Sequence, residues 1–175
     1  MVCTALCPAS DRHRGRAVLR LILLLLLILA PAVQATLTGR IARVIDGDTV
    51  VVLAAPATEV RIRLAGIDAP EKGQPFRQRA RQFLASRVAG RVVEISGDSR
   101  DRYGRILGTL WADGRDINAE LVCGGMAWTY RVRSRVQSPA YLQCENTARE
   151  QRKGLWQEPS PVPPWQWRKQ LRPGV

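Results

Sequence analysis

The stretch from residue 39 to residue 64 constrains the fold most, because it holds three short β-type runs and almost no room between them. Residues 39–45 and 49–53 are rich in β-branched side chains and are separated only by Asp46-Gly47-Asp48, a tight-turn signal. In residues 59–64, Val60, Ile62 and Leu64 alternate with Glu59, Arg61 and Arg63, the period of a strand buried on one face with Arg63 on the other. The period then changes. Over residues 75–88, Phe76, Ala80, Phe83, Leu84 and Val88 fall on one helical stripe. Residues 91–96 and 106–111 read as two further strands, and Asp113-Gly114 as a hairpin turn. A short helix over 117–122 has Asp116 as its N-cap and Gly124-Gly125 as its stop, and a third helix covers 139–152, ended by Gly154. Five strands and three helices in so short a span are too few for a doubly wound sheet. They fit an α+β, mostly β domain, a five-stranded barrel of the OB type with three helices packed on its side.

The N-terminal part of the chain is of another kind. Residues 17–33 form an apolar run behind Arg12, Arg14 and Arg16, and end near the small-residue sequence Val33-Gln34-Ala35. This is the pattern of a secretory signal peptide, and cleavage is expected after Ala35. A membrane anchor fits less well, because the run contains Arg20 and Pro31 and its uncharged part falls short of the ~20 residues a spanning helix needs. The organisation expected is therefore a signal peptide over 1–35, one domain over 36–157 and a Pro- and Trp-rich tail over 158–175. That tail reads as extended, with its tryptophans able to fold back on the domain. A secreted or periplasmic monomer, free of the membrane once cleaved, is the expectation.

Charge and composition narrow the chemistry. The whole chain carries +12, and removal of residues 1–35 leaves 23 basic and 14 acidic side chains, a formal +9 that favours polyanionic partners. The same cut removes His13, the single histidine. Histidine-dependent nucleases, Ser-His-Asp hydrolases and His-ligated zinc sites are thereby excluded. Cys123 and Cys144 remain, either as a disulfide, which an oxidising compartment permits, or as two buried thiols.

Three segments hold most of the unusual polar residues. VIDGDTV (44–50) sets Asp46 and Asp48 either side of a glycine, a spacing of hard oxygen donors that suits Ca²⁺. RLAGIDAPE (63–71) places Arg63, Asp68 and Glu71 where a strand gives way to a loop stiffened by Pro70. DRYGR (101–105) joins Arg102, Tyr103 and Arg105 around a turn glycine, so that a guanidinium can meet an anion and a ring can meet a base. Each alone reads as well as a polar turn or a surface ion pair. Together they describe a phosphate held by two arginines beside a cation, with a carboxylate to orient or deprotonate water.

In this order the three segments resemble the staphylococcal (micrococcal) nuclease family. INAELVCGGMAW and AREQRKGLW extend the likeness over residues 38–156. The resemblance implies a Ca²⁺-dependent nuclease acting on DNA and RNA and leaving 3′-phosphate ends. It implies that Asp48, Asp68 and the backbone carbonyl of Ala69 bind the metal, with Asp46 and Glu71 close behind. Arg63 and Arg105 would bind the scissile phosphate, Glu71 would be the general base, and Tyr103, with Arg102 beside it, would lie along the nucleotide. Ala69 stands where the type enzyme has threonine, the loop after Glu71 is shorter, and Arg131 and Arg133 replace tyrosines near the nucleotide, which points Arg131 toward phosphate contact. The competing expectation is an OB barrel that binds single strands without cutting them. A hydrolase of another polyanion is the third.

Overall fold

The computed structural model describes residues 36–171, so the expected signal peptide lies outside the described residues. The first three strands, β1 (Thr36–Asp46), β2 (Thr49–Ala54) and β3 (Thr58–Leu64), form an antiparallel meander. After a two-residue strand β4 (Ile67–Asp68) come helix α1 (Arg77–Val88) and strands β5 (Val92–Ser96) and β6 (Ile106–Ala112). β1 pairs with β5 on its far side, with Leu37 opposite Ile95, and β5 pairs with β6. The sheet closes because β6 also runs parallel to β3, with Ile62 opposite Ile106 and Arg63 opposite Leu107. The result is a closed five-stranded mixed barrel of the OB type.

β1 can serve both neighbours because its register with β2 shifts between Ile41 and Arg43 and again between Val44 and Asp46. Such bulges bend a strand and sharpen its twist, as barrel closure requires. The expected Asp113-Gly114 turn links β6 to β7 (Arg115–Asp116), and both residues have positive φ, 51° and 73°. That is the backbone of a turn matched to strand twist.

Helix α2 (Ile117–Cys123) starts where expected: the Asp116 side chain accepts from the Ala119 amide at 2.9 Å. Three two-residue strands follow, β8 (Trp128–Thr129), β9 (Arg131–Val132) and β10 (Arg135–Val136). Helix α3 (Pro139–Glu150) is capped by Ser138, and a 3₁₀ turn covers Gly154–Gln157. The main core fills the barrel and the faces of α1, α2 and α3 turned to it, with Val50, Ile62, Leu84, Ile95, Leu110 and Leu121 wholly buried. A second, smaller core gathers Trp128, Ala148, Leu155 and Trp156. The two indole rings meet edge to face with centroids 5.3 Å apart.

The tail departs from the expectation of an extended segment. Residues Pro164–Gln170 form a fourth helix, α4. Pro164 occupies the first turn, where a fixed φ and a missing N–H favour a helix, and no proline interrupts residues 165–170. α4 packs on the barrel domain. Pro164 is buried, Trp165 joins the second core, and Trp167 donates from Nε1 to the Lys72 carbonyl at 3.3 Å. Among the described residues, no helix is long and apolar enough to cross a membrane.

Candidate active site at the barrel end

The turn between β1 and β2 brings the first acidic residues to one end of the barrel. Gly47 is needed there for space: a Cβ would sit 2.8 Å from both the Ala69 and Ala80 methyl groups. The register that follows sets Thr49 opposite Arg63, and the Leu64 amide donates to the Asp48 carbonyl at 2.9 Å. Asp48 is thus carried directly to the end of β3. After Leu64 the chain reverses through Ala65 and Gly66, whose φ of +73° is a conformation that favours glycine. β4 then pairs with β8, Asp68 opposite Trp128, and this covers the Asp68 backbone. Asn118, fully buried, pins the reversal by donating to the carbonyls of Ala65 at 2.9 Å and Gly108 at 3.2 Å and accepting from the Leu110 amide at 3.1 Å.

Asp48, Arg63, Asp68 and Glu71 come together as a result. Arg63 donates through Nη1 to Asp48 and through Nη2 to Asp68 Oδ1, the latter at 2.7 Å. Asp48 also accepts from the Ala69 amide at 2.8 Å and the Thr49 hydroxyl at 3.2 Å, while its own amide donates to Asp46 Oδ1 at 3.3 Å. Asp48 and Asp68 are buried to 2 % and 0 % exposure, yet Glu71 keeps about a third of its side chain in solvent. Burial pushes the Asp48 carboxyl up to about 8, Arg63 opposes that, and the neighbouring Asp46 adds to it. Burial alone would lower the Arg63 pKa, but Asp48 and Asp68 outweigh it and hold the guanidinium charged.

A second arginine, absent from the sequence expectations, completes the cluster. Arg168 of α4 forks onto Asp68, with Nη2 to Oδ2 at 2.8 Å and Nη1 to Oδ1 at 3.1 Å, and reaches Glu71 Oε1 at 2.5 Å. Hydrogen bonding to Asp68 is the main cause of its raised pKa. Nothing local in the tail marks Arg168, since its partners lie about 100 residues away.

The other expected residues are placed less centrally. Arg105 precedes β6, the strand whose Leu107 pairs with Arg63. It donates from Nε to Asp101 Oδ2 at 2.7 Å. Burial would raise the Asp101 pKa, but the bonds from Arg105 and from the Tyr103 amide bring it below the usual carboxylate range. Tyr103 is 67 % exposed, with the guanidinium groups of Arg102 and Arg105 lying 4.8 and 5.4 Å from its ring centroid. Arg131 is committed elsewhere. Both its Nη atoms donate to the buried Glu145, at 3.2 and 3.0 Å, and Nη1 also donates to the Thr129 carbonyl, so the structure holds it in an ion pair rather than presenting it to a phosphate. Glu145, which the helical pattern of 139–152 gave no reason to single out, also accepts from Arg149 and from the Thr129 amide. Cys123 and Cys144 are joined by a disulfide between α2 and α3, with Cα atoms 4.5 Å apart.

The donor set fits a hard cation in kind: buried carboxylates from Asp48 and Asp68, Asp46 behind them, the Ala69 backbone, and no soft ligand. In the present arrangement the carboxylates close on arginines. Among the described residues no three His, Cys, Asp or Glu side chains converge so as to hold a metal ion.

Residues 61–158, which carry Arg63, Asp68, Glu71 and Arg105, match the family model described as staphylococcal nuclease homologue. The chain belongs to the staphylococcal nuclease family. Its relatives in this family include Protein ParB of Escherichia coli, 44 % identical over 169 residues, which covers 91 % of this chain and 95 % of the relative. A protein of Shigella flexneri named Micrococcal nuclease is 41 % identical over 152 residues, 82 % of this chain and 87 % of that one. An Escherichia coli protein named Uncharacterized endonuclease is 44 % identical over 139 residues, with 79 % of this chain and 89 % of the relative covered. The staphylococcal nuclease family match ends at residue 158, so α4 and Arg168 lie beyond it.

Proposed function

We propose that this chain is a nuclease, a calcium-dependent phosphodiesterase that hydrolyses DNA and RNA to products with 3′-phosphate ends. Membership of the staphylococcal nuclease family and relatives named nuclease and endonuclease support the nuclease function. The observation that carries the finer reading is the convergence of Arg63, Asp48, Asp68 and Glu71 at one barrel end. Asp48, Asp68 and the Ala69 carbonyl would hold calcium, with Asp46 behind Asp48. When bound, calcium supplies positive charge against the phosphate oxygens.

The chain's own residues do the rest. Arg63 and Arg105 bind the phosphate and stabilise the charge that grows on it as water adds. Glu71, the most accessible carboxylate of the cluster, orients that water and takes its proton. The bond from phosphorus to the 5′ oxygen breaks, which leaves a 5′-hydroxyl on one fragment and a 3′-phosphate on the other. Tyr103 offers an exposed ring for a base to stack on. The apolar run before Ala35 supports export to the periplasm or the medium, where the protein would act as a monomer.

The test is cleavage of labelled single-stranded DNA and RNA in Ca²⁺ and in chelator, alongside Glu71→Ala and Arg63→Ala. Cutting that needs calcium, leaves 3′-phosphate ends and falls at least a hundredfold in both variants is expected, the scale for loss of a catalytic acid–base or charge-stabilising group. Binding without cutting, unchanged in the variants, would replace this reading with a non-catalytic single-strand-binding barrel.

A further inference from the structure

α4 is anchored independently of its arginine. Gln74 Nε2 donates to the Val162 carbonyl at 2.5 Å, Trp167 bonds the Lys72 carbonyl, and Trp165 lies against the second core with the Arg131 guanidinium 5.6 Å from its ring centroid. These contacts lie within the six residues before Arg168, so its guanidinium is delivered to the acidic centre by a docked helix. Asp68 then accepts three charge-assisted bonds, two from Arg168 and one from Arg63. A carboxylate has about four acceptor positions, so little of Asp68 remains for another partner. A cation at bonding distance of ~2.4 Å from Asp68 would also stand next to a guanidinium held to the same two oxygens. Arg168 itself is 37 % exposed and can leave toward solvent without crossing the core.

We propose that Arg168 is a tethered cation that closes the acidic centre, and that a divalent metal ion and Arg168 compete for Asp68 and Glu71. Metal binding then loosens α4 from the barrel. This rests on the assignment of Asp68 as a metal ligand. It also accounts for the way carboxylates of the kind calcium takes are bonded here to arginine.

The test is calorimetric titration of CaCl₂ into the chain from Thr36 to Val175, compared with Arg168→Ala and with Trp167→Ala, which weakens the anchor and leaves the arginine in place. Hydrogen exchange of residues 164–170 is measured on the same samples with and without saturating calcium. Arg168→Ala is expected to bind calcium about tenfold more tightly, within the usual range for two coupled sites, and Trp167→Ala to shift in the same direction. In the unsubstituted chain, calcium should speed exchange across 164–170. Equal affinity in all three proteins, weaker binding in Arg168→Ala, or slower exchange of 164–170 with calcium would each overturn the competition. If none of the three binds calcium, the calcium reading of the site falls with it, an outcome distinct from calcium binding that ignores Arg168.

Discussion

Arg63 and Asp68 are five residues apart and face each other across the reversal at Ala65 and Gly66, 2.7 Å from Nη2 to Oδ1, while the other Nη of Arg63 holds Asp48. One guanidinium therefore compensates two carboxylates that are almost wholly buried. Removing one partner of such a pair leaves charge uncompensated in the interior, so Arg63→Ala should cost about 3 kcal/mol of stability as well as activity. Urea denaturation in chelator measures the first effect separately from catalysis. A variant as stable as the parent would mean that Arg168 alone suffices for Asp68.

Glu145 sets a pH dependence. Its burial would raise the pKa, but Arg131, the Thr129 amide and Arg149 together hold it below the ordinary value. A depressed carboxylate contributes stability above its unfolded pKa of about 4.3, and that contribution is lost as pH falls through the folded value. Stability from urea midpoints should therefore drop on the acid side of about pH 4, beyond what other groups produce. Glu145→Gln should be less stable at pH 7 and show a shallower acid limb; parallel curves would remove Glu145 from the account.

The Cys123–Cys144 bond closes a loop of sequence separation 21 and ties α2 to α3. A cross-link of that span stabilises by about 3 kcal/mol in the chain-entropy account. Thermal unfolding with and without a reductant should show the loss, and Cys144→Ala should make the melting temperature insensitive to reductant.

Tyr103 is a surface residue whose ring touches arginines, not the core. Tyr103→Ala should leave the melting temperature within a degree or so and weaken single-strand affinity by about 1–3 kcal/mol, the usual range for one stacked base. The effect should appear in KM more than in kcat. A change in kcat alone would assign the ring a part in the reaction instead.

The barrel was legible in the sequence because its strands alternate cleanly and its turns carry Asp-Gly pairs, as at Asp46-Gly47 and Asp113-Gly114. Asp48, Arg63, Asp68 and Glu71 were legible as a group because they sit at the ends of those strands, where register alone brings them together. Arg131, Glu145 and Arg168 were not. Their roles depend on ion pairs between segments with no shared periodicity: β9 with α3, and α4 with β4 and the loop after it. The α4 helix itself was obscured by the prolines before it, which favour extended chain up to Pro164 and then start a helix.

The family match stops at residue 158, four residues before Val162 meets Gln74 and ten before Arg168 meets Asp68. Anyone trimming the chain to that match for expression would discard one of the two arginines now bonded to the acidic centre and leave Glu71 without its guanidinium partner. Metal affinities and rates measured on the shortened protein would describe an acidic centre without the guanidinium that α4 brings to it.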